Sequence, residues 1–128
     1  MSRKNIPDDL RRFILTSIPS VPYLEALLLL RGDPARGWDS FTVAARLYIG
    51  EAQALELLQA MQQAGMCIRT EDGRFTYGPA TPELARVVDA LAVTYSKDLV
   101  GVTDLIHSRL EKRAQQFADA FRWKKDEG

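Results

Sequence analysis

The sequence predicts a mainly α fold with one small β-hairpin, followed by a long C-terminal helix or helical pair. Three observations carry this expectation. Apolar residues recur at spacings of three and four over most of the chain, as on a buried helix face. Asp72-Gly73 stands between two short runs of strand-forming residues, the pattern of a tight hairpin. From Leu84 onward the apolar spacing continues to Phe121 with no proline to stop it.

Each element has its own local signals. Pro7-Asp8-Asp9 opens a short helix with two acids near its positive end, and Leu10, Phe13, Ile14 and Ile18 share one side. Pro19 and Pro22 end it. Ser20 then caps a second helix whose Leu24, Leu27 and Leu28 call for burial on more than one face, and Gly32-Asp33-Pro34 terminates it. Asp39 or Ser40 can cap a third helix that turns Val43, Ala44 and Leu47 inward, with Gly50 in the turn that follows. The next helix, 51–65, carries Ala54, Leu57, Leu58 and Met61 at helical spacing and closes at Gly65. Ile68-Arg69-Thr70 and Arg74-Phe75-Thr76-Tyr77 form the hairpin strands, because Asp72-Gly73 accepts a positive φ. Thr81-Pro82-Glu83 combines a hydroxyl cap, a proline at the first helical position and an early acid.

A single helix from there to Trp123 would run roughly 60 Å at about 1.5 Å per residue, more than so small a body can cover. A break near Gly101 would divide it into two. The division that follows is residues 1–80 as the N-terminal helices and hairpin unit, and 81–128 as a helical extension for packing and dimerisation.

With 128 residues and 46% hydrophobic content the chain can bury a substantial core. Its formal net charge of zero gives no bulk attraction to nucleic acid or anionic lipid, so any polyanion must be held by a local patch. One cysteine, Cys67, and one histidine, His107, exclude an internal disulfide and argue against a zinc site or a thiol nucleophile. The glycines are isolated turn residues and form no phosphate-cradling loop. No enzyme activity, cofactor or metal is expected. The N-terminus lacks a signal-peptide core and no apolar run approaches bilayer length, which predicts a cytoplasmic protein without a membrane role.

The capped helix, tight turn, second helix and Gly-containing hairpin over residues 21–77 resemble the winged helix-turn-helix of MarR-like bacterial transcriptional regulators. The resemblance implies a dimeric DNA-binding regulator, with residues 51–65 as the recognition helix and Trp38 in a short third strand. It implies backbone contacts from Arg46, Arg69 and Arg74, and base contacts from the amides of Gln53, Gln59 and Gln62. Two departures accompany it. Tyr48 occupies a turn position where such motifs commonly have glycine, and the recognition helix has Glu51 and Glu56 but no Lys or Arg. A second function is therefore in view, a module that holds a protein through Glu51, Gln53, Leu55, Glu56 and Gln59.

Positive charge gathers instead at the chain ends, in Arg3, Lys4, Arg11 and Arg12, and in Arg109, Lys112, Arg113, Arg122, Lys124 and Lys125. The apolar stripe of Leu91, Tyr95, Leu99, Val102, Ile106, Leu110, Phe117 and Phe121 predicts a homodimer formed by pairing of terminal helices, or a fold-back onto the first helices.

Overall fold

The computed structural model describes residues 6–127, except the side chains of 110, 111, 113 and 121–127. It is mainly helical with one two-stranded antiparallel sheet. The order is α1 (Asp8–Ser17), α2 (Val21–Gly32), α3 (Ser40–Leu47), α4 (Glu51–Gln63), β1 (Cys67–Arg69), β2 (Phe75–Tyr77), α5 (Pro82–Lys97) and α6 (Leu99–Glu127).

Local chemistry sets the boundaries. Ser20 Oγ accepts from the Tyr23 N–H at 3.2 Å and Thr81 Oγ1 from that of Leu84 at 3.1 Å. Each bond satisfies a helix donor that would otherwise lack a partner. Asp39, rather than Ser40, caps α3. Its Oδ1 accepts from the Thr42 N–H at 2.8 Å while the Thr42 hydroxyl accepts from the Asp39 N–H at 3.2 Å. The two bonds close a reciprocal box. The strands pair Cys67 with Tyr77 and Arg69 with Phe75, one residue earlier on the first strand than the composition suggested. Thr70 stands at the turn rather than in the strand, its N–H donating to the Arg74 carbonyl at 2.7 Å while Gly73 takes φ +84°. Trp38 forms an isolated bridge to Phe75, its N–H and carbonyl each bonded at 2.8 Å.

One continuous core runs from Leu10 and Ile14 of α1 to Val102 and Ile106 of α6. α2 lies at its centre, against α3, α4 and β2. That position explains why Tyr23, Leu24, Ala26, Leu27 and Leu30 are all buried and its hydrophobicity shows no single face. α1 packs on α5 and α6. No single described helix is long and apolar enough to cross a membrane.

The terminal stripe divides into two helices, and the break falls at Asp98 rather than at Gly101. Asp98 ends α5 in a non-helical conformation, and its Oδ1 accepts from the Gly101 N–H at 3.0 Å, capping α6. Gly101 has a different part in this joint, since a Cβ there would collide with the Asp98 carboxylate. The expected dimer contacts separate accordingly. Leu91, Val102 and Ile106 are buried in the chain's own core. Tyr95 is half-buried, with its hydroxyl 3.4 Å from Glu25 Oε1, while Leu99 and Phe117 are exposed. The side chains of Leu110 and Phe121 lie outside the described residues.

Candidate interaction surface

The outer faces of α3 and α4 combine charge with apolar surface. On α3, Val43 and Ala44 point into the core, which leaves Phe41 and Ala45 exposed on one flank, with Tyr48 exposed at the C-terminal cap. Phe41 is 68% exposed and Tyr48 95%. Tyr48 is also the one described non-glycine residue at positive φ, with φ 57° and ψ 45°, in the left-handed region that disfavours a Cβ. The missing turn glycine noted in the sequence thus leaves a strained backbone and a ring held out in solvent.

α4 turns Ala54, Leu58 and Met61 inward and presents Glu51, Gln53, Glu56, Gln59 and Gln62 outward, with Leu55 38% exposed beside them. Ser40 Oγ donates to Glu51 Oε1 at 3.3 Å, tying the start of α4 to the start of α3. Glu51 is thereby bonded to the sequence neighbour of Phe41, and it stands three residues beyond Tyr48 in the chain. Sequence reasoning found the acids and amides of α4 but missed Phe41. Its signal was available, since Phe41 falls outside the inward spacing of Val43, Ala44 and Leu47.

The arginines expected to meet a nucleic-acid backbone collect elsewhere, around the Trp38 and Phe75 bridge. The Arg46 guanidinium lies 5.5 Å from the Trp38 ring centre and that of Arg36, which sequence reasoning missed, 4.0 Å. Arg69 sits 5.6 Å from the centre of Phe75. The Arg74 stem passes so close to Gly37 that a Cβ there would be 3.1 Å from it, and its Nε is 3.7 Å from Asp72 Oδ2. Stacking on aromatic faces fixes a guanidinium plane while leaving its N–H edges free. A cleft of about 250 Å³ opens beside this cluster, lined in part by Leu28, Asp33, Arg36, Trp38 and Arg46. The carboxylates balance the field, however. Residues 38–77 hold five acids, Asp39, Glu51, Glu56, Glu71 and Asp72, against the three arginines 46, 69 and 74. Among the described terminal cations, Arg11 and Arg12 ride on α1, which packs on α5 and α6, and Arg109 and Lys112 on α6. Arg3, Lys4, Arg113, Arg122, Lys124 and Lys125 lie outside the residues whose side chains are described.

Burial holds the thiol and one phenol in their neutral forms. Cys67 is buried beneath α4 with its Sγ 3.6 Å from the Leu58 carbonyl, and burial pushes its thiol up to about 11. Tyr23 donates to Met66 Sδ at 3.5 Å and is raised to about 12, first by burial and then by the nearby Cys67. His107 is exposed on α6. Among the described residues no cluster of His, Cys, Asp and Glu could hold a metal ion. No family model, curated protein or solved structure matches the chain.

Proposed function

We infer that α3, the turn at 48–50, α4 and the hairpin are a winged helix-turn-helix that serves as a protein-interaction module. The observation that carries this reading is the outer surface of α3 and α4, where Phe41, Tyr48 and Leu55 are exposed along with Glu51 and Glu56 and α4 carries no cation. A DNA-reading helix meets a dense line of phosphates, and two carboxylates there repel it. A protein partner gains from the same features, because exposed aromatics bury large area and carboxylates pair with Arg or Lys. Capture on the immobilised chain from a nuclease-treated lysate tests it. A stoichiometric partner retained by the wild type should be lost with Glu51→Lys/Glu56→Lys and with Tyr48→Ala. Equal retention by those variants refutes this surface.

The second reading is a DNA-binding transcriptional regulator, favoured by the convergence of Arg36, Arg46, Arg69 and Arg74 on Trp38 and Phe75. Here the hairpin side meets phosphates while Gln53, Gln59 and Gln62 offer amides to bases. Four phosphate contacts give a slope of about −3.6 in log K against log salt. Absence of any duplex binding at low salt removes this reading.

A further inference from the structure

We propose that the occupant of the α3–α4 face is the distal half of α6 from a second copy of the chain. This rests on reading that face as a protein-docking surface, and it adds the identity of the partner. α6 has 29 residues, but its burial ends early. At roughly 1.5 Å per residue it extends about 43 Å. Val102, Leu105 and Ile106 are buried against the body, whereas from His107 to the end no described residue is buried. Lys112 and residues 114–120 are exposed on every side of the helix, and Phe117 is 75% exposed. A helix without tertiary cover is marginal in water, so this length calls for a surface to lie on.

The two surfaces match in chemistry. Around Phe117 the sequence places Leu110, Arg113, Ala114, Phe121 and Lys124 at spacings of three, four and seven, while Glu111 and Asp119 fall at other phases of the helical repeat. The stripe is thus apolar and cationic. The receiving surface is apolar and acidic, with Phe41, Tyr48 and Leu55 exposed to meet an aromatic and Glu51, exposed and tied to the head of α3, to meet a guanidinium or ammonium. The chain's own α6 does not supply this contact. It leaves the body from the side where it packs on α1 and α5, and its distal half stays exposed throughout its described residues. Reciprocal exchange about a twofold axis satisfies both faces at once and closes the assembly as a dimer.

Sedimentation of the full chain, with circular dichroism as the check on folding, tests the arrangement. The wild type is expected to dimerise, and Phe117→Asp and Tyr48→Asp should each weaken dimerisation about 30-fold or more, as loss of a central aromatic anchor does. Mixing those two variants should restore part of the association, because the intact tail of one meets the intact face of the other. A monomeric wild type overturns the proposal. So does a dimer indifferent to Tyr48→Asp, which would place the tails against each other. A monomer that still captures another protein through Glu51 and Glu56 overturns this inference while leaving the interaction-module reading in place.

Discussion

Replacing Tyr48 by glycine separates backbone strain from surface function at one position. The φ of 57° and ψ of 45° place an L-residue in the left-handed region. There Cβ crowds the following carbonyl, at a cost of about 1–2 kcal/mol. Glycine removes that cost but loses about 0.5–1 kcal/mol more backbone freedom on folding. The ring itself contributes little to the fold, since it is 95% exposed. Tyr48→Gly should therefore stabilise the protein by about 0.5–1 kcal/mol, a rise of roughly 2–4 °C in Tm for a chain of this length. Tyr48→Ala keeps the Cβ and so should leave stability close to wild type. Both variants remove the ring and should weaken docking on the α3–α4 face equally. Paired denaturant titrations with unchanged m and a binding assay on the same samples read both effects. A Tyr48→Gly no more stable than Tyr48→Ala, which lacks the same ring, would refute the reasoning, for it would mean that the left-handed backbone carries no strain.

Asp39→Ala should cost about 1 kcal/mol by opening the reciprocal cap on α3. The hydrogen bond from the Thr42 N–H, and then the one from its hydroxyl, hold the Asp39 carboxyl below its ordinary value. The contribution is therefore present at neutral pH and is lost as pH falls through the lowered folded value. Wild type and variant should converge in acid, and a gap that persists there counts against the cap. At the other end of the scale, Cys67 and Tyr23 are raised by burial to about 11 and about 12, which favours their neutral forms in the folded state. The thiol's contribution is full below its ordinary value of 9.0 and declines as pH rises through about 11. Urea titrations at stepped alkaline pH should show falling stability, less steeply in Cys67→Val; a flat profile contradicts the burial of these groups.

The helices were legible where a single residue type has one local use. Ser20, Asp39 and Thr81 are caps, and the Asp72-Gly73 turn needs the positive φ that Gly73 adopts. The joint at Asp98 was harder to see because an aspartate within an unbroken apolar spacing reads as a solvated residue. Its meaning depends on Gly101 three places on, whose N–H it accepts and whose missing side chain leaves room for the carboxylate. The stripe then changes its phase at Leu99, which is exposed, and resumes inward at Val102. The candidate surface was half legible. Charge and amide content on α4 follow from spacing, but the bond from Ser40 to Glu51 is a tertiary fact made by the packing of α3 on α4.

Trp38 gives the hairpin a different mechanical character from that of a two-stranded arm on a flexible root. Its backbone is clamped to Phe75 by two hydrogen bonds of 2.8 Å, and its indole is 1% exposed, one residue before the cap of α3. The hairpin is therefore rooted on the segment that leads directly into α3. The hairpin and the head of α3 thus share one backbone junction, and a substitution at Trp38 would disturb both elements at once.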